Sequence, residues 1–247
     1  MNDFFRSAFG CIEYFVTITG SIASIISLLT LTFQDKINAI FALFFIIVFL
    51  VLLLLRALLF KFKHPSGAIK ISTLNKYVTE NGKNICYEVR KHIQSKKFVL
   101  RHYHHKFKWS GSNEPKIFSD LQEVLLTTRG NNIEYDEIKL KFKKPLFYNE
   151  IGLIHLKMDL DDSDNKSKPY LAIKVEEPTK MIQFQCVLKY KPDGYDNKAR
   201  LYRYKINSPI FSESTIKKVN FDLITKSYDE TVYNPDVGYY YVLKWEK

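Results

Sequence analysis

The chain has 247 residues, of which 46% are hydrophobic and 15% aromatic, and it carries a formal net charge of +11. This much bulky apolar material argues against an intrinsically disordered chain, and three widely spaced cysteines argue against a disulfide framework and favour a reducing, cytoplasmic setting. Residues 1–64 hold only five of the 37 Lys and Arg residues, so most of the positive excess lies in the later, more polar region, where it indicates either anionic partners or simple solubility.

Two uncharged apolar runs stand near the N-terminus, at residues 14–33 and 37–55. About 20 residues of α-helix cross a hydrocarbon core of roughly 30 Å, so each run is long enough to span a membrane. Only Gln34, Asp35 and Lys36 separate the two runs. The pattern predicts a membrane α-helical hairpin within residues 1–64, and the second run argues against a cleaved signal peptide.

The two predicted spans differ in side-chain size. The first contains Gly20, Ser24 and Ser27, and small residues spaced in this way let helices approach closely. The second is rich in Phe, Leu, Ile and Val, which suits contact with lipid. The first helix therefore either faces other copies in a homo-oligomer, where it could line a pore, or packs against the second helix of its own hairpin.

Basic residues flank the predicted hairpin on its outer ends. Arg6 precedes the first span, and Arg56, Lys61 and Lys63 follow the second. The positive-inside rule then places both termini in the cytoplasm. The sequence thus predicts a multi-pass protein of a bacterial inner membrane, with the lipid bilayer as its first partner.

The segment 65–97 is predicted to be a helical neck. Pro65-Ser66-Gly67 breaks the chain after the membrane region. Apolar residues then recur at spacings of three, four or seven, typical of one broken helix or two short ones; they are Ile71, Leu74, Val78, Ile85, Val89 and Ile93.

From residue 98 to 247 the pattern changes to alternation with frequent turn signals. Such spacing is typical of seven to nine short strands, which we place at 98–109, 117–127, 133–142, 151–159, 170–176, 181–190, 199–206, 215–225 and 239–245. We predict an all-β antiparallel domain that is sandwich-like, with a closed barrel as the alternative. Residues 116–127 could instead form a helix.

No catalytic motif is present, so the sequence predicts no catalytic residue, no cofactor and no enzyme activity. His92, His102, His104 and His105 form the densest histidine group, but no carboxylate or cysteine stands at a diagnostic spacing, and we predict no metal site. Residues 159–165 are rich in aspartate yet lack the spacing of an EF-hand, which favours a solvated hairpin turn.

Two segments, 101–109 and 200–205, interleave basic and aromatic residues. Aromatic rings can stack on bases while cations hold phosphates, so these segments predict a site for a nucleotide or nucleic acid. A strand with its aromatic residues in the core and its cations in water gives the same pattern. The candidate ligand-binding residues are Arg101, His102, His104, Lys106, Trp109, Arg200 and Arg203.

The predicted layout, together with these basic-aromatic strands and the segment 107–111 (FKWSG), resembles the two-transmembrane, β-strand-rich effectors of bacterial anti-phage signalling by cyclic oligonucleotides. The resemblance implies a cytoplasmic β domain that senses a nucleotide and controls assembly or membrane disruption by the helices. The alternative is a non-catalytic, membrane-tethered scaffold that recruits a protein partner, such as one encoded nearby, through the β domain.

Overall fold

The computed structural model describes residues 36–128, 135–206 and 214–247. The chain divides into two compact units after Lys63. The described part of the first unit is one helix, α1, which spans Lys36–Lys63. Within it, Leu43–Phe62 is the single stretch among the described residues that is long and apolar enough to cross a membrane, with a mean hydropathy of 3.1.

The prediction of a two-span hairpin is wrong as a fold class, because the described residues contain one candidate span. The localisation derived from it, a multi-pass protein of the inner membrane, is overturned by the same finding. The predicted first span at 14–33, with Gly20, Ser24 and Ser27, lies outside the described residues. The helix α1 also continues past the predicted end at residue 55, because Arg and Lys are good helix formers and the first residue that resists helix is Pro65.

The described residues of the second unit form thirteen strands in three sheets. The largest sheet has the order β12-β9-β1-β2-β7-β4, with β1 Ala68–Thr79, β2 Asn84–Ser95, β4 Lys116–Phe118, β7 Ile151–Asp161, β9 Thr179–Leu188 and β12 Ser227–Tyr233. The four-stranded sheet has the order β11-β10-β13-β8, with β8 Tyr170–Val175, β10 Ala199–Lys205, β11 Ser214–Val219 and β13 Tyr239–Lys244. The three-stranded sheet has the order β3-β6-β5, with β3 Val99–Phe107, β5 Gln122–Thr128 and β6 Asp136–Phe147.

The prediction of a β-rich domain is confirmed, and two details of it are corrected. The domain is not wholly antiparallel, because β1 and β9 pair in parallel. The helical neck at 65–97 is wrong, because this segment forms the antiparallel pair β1 and β2.

The helical neck was predicted from apolar residues spaced four apart, a spacing that a strand also allows. Ile85, Val89 and Ile93 are buried on one face of β2, and a spacing of four satisfies a strand period of two as well as a helical turn. The residues between them on that face, Tyr87 and Lys91, are a large aromatic and a cation. The buried face of β1 is mostly polar, so the alternation that marks a strand was hidden.

Two other strand predictions also needed correction. Residues 116–127 form neither a helix nor one strand but β4 and β5, which belong to different sheets. The strand β12 was not predicted, because its sequence SYDETVY is charged and reads as a loop. It is an edge strand that pairs with β9, and the fully buried ring of Tyr228 anchors it to the core.

The hydrophobic core lies between the six-stranded sheet and the two smaller sheets. Its largest buried side chains include Leu156 and Phe184 from the first layer, and Leu140 and Leu243 from the smaller sheets. Specific contacts join the layers: Asn75 Nδ2 donates to the backbone oxygen of Ala172 at 3.3 Å, which links β1 to β8. This sandwich-like layering leaves two edge strands, β3 and β8, facing the same side of the large sheet.

Candidate functional site

A cavity of about 490 Å³ opens in the second unit, beside these two edge strands. Thr73 and Asn75 of β1 and Lys91 of β2 line it on the side of the large sheet. The strand β3 lies on one flank and β8 on the other. The cavity forms where Thr73 and Asn75, which are small and polar, stand in the buried face of β1, where large apolar residues would otherwise fill the core.

The lining is strongly cationic. It contains two acids, Glu176 and Glu177. It contains six lysines, namely Lys70, Lys91, Lys106, Lys108, Lys168 and Lys174. An excess of positive charge in a concave site strengthens the local electrostatic potential, which attracts ligands of negative charge.

The central feature is a contact between Lys91 and His105. Lys91 Nζ lies 3.0 Å from His105 Nδ1, and it also lies 5.5 Å from the centre of the Tyr103 ring. Burial, with Lys70 nearby, lowers the pKa of Lys91 to about 7. Burial and the neighbouring Lys91 and Lys70 also hold the pKa of His105 well below its usual range. His105 is therefore neutral at pH 7.

One nitrogen of His105 lacks a partner. When Lys91 is protonated its ammonium group can only donate, so in that form Nδ1 of His105 accepts from Lys91 and the ring proton resides on Nε2. That Nε2 atom is buried and has no hydrogen-bond partner. A buried donor left in this state costs about 1–3 kcal/mol, which an acceptor group of a ligand would recover.

The acids beside the cavity are already engaged. Glu177 is buried and accepts hydrogen bonds from the backbone nitrogen of Ser66 at 3.1 Å and from its hydroxyl at 2.8 Å. Lys70 Nζ lies 3.9 Å from Glu177. Glu176 pairs with Lys174 at 2.6 Å. Among the described residues, no carboxylate lies within ion-pair distance of Lys91.

Tyrosines form the rim of the cavity on the side of the four-stranded sheet. The rings of Tyr204 and Tyr240 are neighbours across β10 and β13 and stack with centroids 5.0 Å apart. The hydroxyl of Tyr240 lies 2.7 Å from that of Tyr135, just before β6, so the contact joins two sheets. Lys174 Nζ lies 5.8 Å from the Tyr240 centroid and 5.9 Å from the Tyr135 centroid. The rim thus offers flat aromatic surface beside a cation.

Three of the residues predicted as a ligand site line the cavity: His104, Lys106 and Trp109. His104 and Lys106 project from the exposed face of β3, and His104 Nδ1 lies 2.5 Å from Glu137 Oε1. The indole nitrogen of Trp109 donates to the backbone oxygen of Asn113 at 3.1 Å. These groups stand at the edge of the site rather than at its centre.

The other four predicted residues are not among those that line it. Arg101 and His102 lie at the start of β3 with exposed or half-exposed side chains, and Arg200 is exposed on β10. Arg203 pairs with Asp236 at 2.6 Å and lies over the Tyr239 ring. The cavity therefore takes residues from both predicted segments, but from segment 200–205 it takes Tyr204 and neither predicted arginine.

The residues at the centre of the cavity were missed for a physical reason. Thr73, Asn75 and Lys91 lie in segment 65–97, which the sequence assigned to a helix. Lys91 pairs in register with Thr73 across β1 and β2, and only a strand prediction would have placed them on one face. The available signal was polar alternation at Thr73, Asn75 and Thr79 in β1.

The histidine group does not assemble into a metal site. His102 and His104 share the outer face of β3, whereas His105 points into the core and His92 bonds the hydroxyl of Ser72 at 2.9 Å. Among the described residues no cluster of three metal-ligating side chains exists. In the aspartate-rich turn, Asp162 is buried and accepts hydrogen bonds from Ser167 and Lys247, so it stabilises the turn.

No family model and no curated protein matches the chain. Among solved structures it is similar to an M1 zinc metallopeptidase from Deinococcus radiodurans, with 8% sequence identity and a TM-score of 0.38 over 72% of this chain and 42% of that one. It is also similar to a putative protease from Parabacteroides distasonis, with 7% identity and a TM-score of 0.42 over 74% of this chain and 41% of that one. The chain thus spans less than half the length of these proteins, and scores this low support no conclusion about its family or activity.

Proposed function

We propose that the β domain is a sensor that binds a small anionic ligand of the nucleotide class in this cavity. The observation that carries the proposal is the presence of a half-buried lysine, Lys91, and a rim of stacked tyrosines in one cavity. No residue is assigned a catalytic role, and the absence of enzyme activity stays a prediction.

A nucleotide matches both ends of this cavity. Its phosphate suits the lysine-rich side, because oxyanions form short, strong hydrogen bonds with charged donors. Its base suits the rim at Tyr204 and Tyr240, because base–aromatic stacking contributes about 1–3 kcal/mol per base. The volume of about 490 Å³ lies within the range of roughly 300–1,000 Å³ that is usual for small-molecule sites.

The role of a defence effector stays part of the proposal. It is supported by a candidate membrane span, Leu43–Phe62, on the same chain as a domain with a ligand cavity. A ligand can change the state of such a chain only if it binds one state better than another. We propose that ligand binding shifts assembly of the chain in a homo-oligomer and so alters the bilayer. The alternative, a scaffold for a protein partner, predicts that induced expression leaves the membrane potential of the host unchanged.

Binding of the ligand is tested on the full chain purified in detergent. Thermal unfolding is followed with a panel of mononucleotides and cyclic nucleotides, each matched with its nucleoside. We expect at least one nucleotide to raise the unfolding temperature and its nucleoside to have a much smaller effect. If no nucleotide of the panel stabilises the chain at millimolar concentration, the proposal is wrong. Isothermal titration then measures the affinity of each positive nucleotide.

A further inference from the structure

We infer that Lys91 and His105 together form a binding site for an oxyanion, such as the phosphate of a nucleotide, at the β2–β3 side of the cavity. This inference deepens the proposed function and rests on it for the identity of the rest of the ligand. It assigns the groups that contact the anion, which the sequence did not place in the site.

The first observation is the donor left over on His105. The side chain is 7% exposed, and its Nε2 atom is buried without a hydrogen-bond partner. With Lys91 in its ammonium form, Nζ donates to Nδ1 at 3.0 Å, so the other ring nitrogen carries the proton and can only donate. A donor in this position can bind an acceptor oxygen of a ligand and cannot bind a cation.

The second observation is the missing counter-ion of Lys91. An ammonium group has three donors, and His105 Nδ1 takes one of them. The remaining surroundings of Lys91 are the ring of Tyr103, the cation Lys70, and the acids Glu176 and Glu177, both of which bond elsewhere. An oxyanion placed between Lys91 and His105 would therefore supply the negative charge beside Lys91 that no described carboxylate supplies at ion-pair distance.

Binding of an anion there has a consequence for protons. Because the pKa of Lys91 is lowered to about 7, a large part of the empty protein carries a neutral amine at neutral pH. A bound anion favours the ammonium form, so binding takes up a proton at Lys91. In the empty protein, burial and the neighbouring Lys91 and Lys70 keep the pKa of His105 well below its usual range, so its ring is neutral there.

The test uses inorganic phosphate as the probe and the full chain with ¹⁵N-labelled histidine rings in detergent. Phosphate is titrated at pH 7 against sodium chloride of equal ionic strength, and the spectrum of His105→Gln assigns the His105 signal. We expect the Nε2 resonance of His105 to shift and saturate with phosphate but not with chloride. A His105 signal that responds equally to both salts overturns the inference.

Matched variants separate contact with the anion from loss of folding. Lys91→Met keeps the length of the side chain and should weaken phosphate binding by about tenfold or more. Lys76→Met, on the opposite face of β1, is the control and should bind phosphate normally. His105→Asn keeps an acceptor for Lys91 but lacks the distal donor, whereas His105→Gln keeps a donor near the Nε2 position. We expect the Asn variant to lose more affinity than the Gln variant, and the reverse order contradicts the inference.

The outcomes distinguish this inference from the proposed function. If nucleotides bind but His105 shows no specific response to phosphate, the inference fails and the nucleotide proposal stands. If phosphate shifts the His105 resonance while no nucleotide binds, the inferred oxyanion site stands and the nucleotide proposal fails. Heat capacity scans of each variant confirm that it unfolds as one cooperative unit before its affinity is compared.

Discussion

Two of the buried histidines of the β domain, His155 and His105, differ in what surrounds them. His155 is 5% exposed, and its Nε2 atom lies 2.8 Å from Glu88 Oε1 while its Nδ1 atom lies 3.6 Å from Asp120 Oδ2. His105 is 7% exposed and has a lysine as its one partner. The first histidine has an acid at each nitrogen, and the second has an unpartnered donor. On this difference we assign His155 to stability and propose His105 as part of a binding site.

The surroundings of His155 show why we assign it to stability. Gln122 Oε1 accepts from the backbone nitrogen of His155 at 2.9 Å, and Gln122 Nε2 donates to the Leu153 oxygen at 2.8 Å. These bonds tie the start of β5 to β7. Although burial raises the pKa of Glu88, hydrogen bonds from Arg90 and His155 outweigh it and hold this pKa below its usual range.

The largest effect on stability is expected at the cluster of Glu88, Arg90 and His155. Replacing Glu88 by Ala leaves His155 and Arg90 without their shared partner, and breaking a buried charged contact costs about 3–5 kcal/mol. We expect a loss of about 4 kcal/mol in the free energy of unfolding, measured by urea titration, with ligand affinity unchanged. The control is Glu123→Ala, which removes an exposed pair with Lys141 and should cost about 0.5 kcal/mol. Equal losses in the two variants would contradict the assignment.

The pH dependence of stability sharpens the comparison at Lys91. Its pKa is about 7 in the folded protein and about 10.5 when unfolded, so the unfolded state binds more protons between these values. Stability therefore rises with pH from about 7 to 10.5 through this group, by roughly 3 kcal/mol when its partial exposure is discounted. Unfolding curves of the wild type and Lys91→Met, measured across this window, should diverge. Parallel curves would show that Lys91 is not desolvated.

A smaller effect is expected at the aromatic rim. Tyr204→Leu removes a stacked ring from the cavity and should weaken nucleotide binding about tenfold, because one base stack contributes about 1–3 kcal/mol. The control is Tyr202→Leu, two residues earlier on β10 and outside the described lining. Titration calorimetry compares the two. If both variants bind as the wild type does, the base does not stack on this rim.

The smallest effect is expected at a predicted residue that the structure places elsewhere. Arg203 pairs with Asp236 at a partly exposed site, and such pairs contribute about 0–1 kcal/mol. Arg203→Met should change nucleotide affinity less than about twofold. A loss as large as that of Lys91→Met would restore Arg203 to the binding site and contradict the assignment to the cavity.

The sequence predicted the β-rich domain well, because strands such as β8 and β9 alternate apolar and polar residues in the usual way. The prediction failed at β1. There the polar residues Thr73, Asn75 and Thr79 face inward, and most of the apolar residues lie on the opposite face. Those same polar residues create space in the core. The feature that hid the strand is therefore the one that forms the cavity.

Only the edge of the candidate site could be predicted. His104, Lys106 and Trp109 are close in sequence within one basic-aromatic segment, so local pattern identifies them. Lys91 meets His105 only through the packing of two sheets, and no local pattern reports a contact of that kind. Whether a cation has a carboxylate nearby is likewise a property of the folded chain.

The most direct test of the account is to map where a nucleotide binds. The full chain is irradiated with an azido-adenine nucleotide, digested and analysed by mass spectrometry, with an unlabelled nucleotide as competitor. The account predicts competed labelling on β8 and at residues 204 and 240 of the tyrosine rim, and a strong loss of label in Lys91→Met. Labelling that is confined to β10 near Arg200, or label that Lys91→Met leaves unchanged, would contradict it.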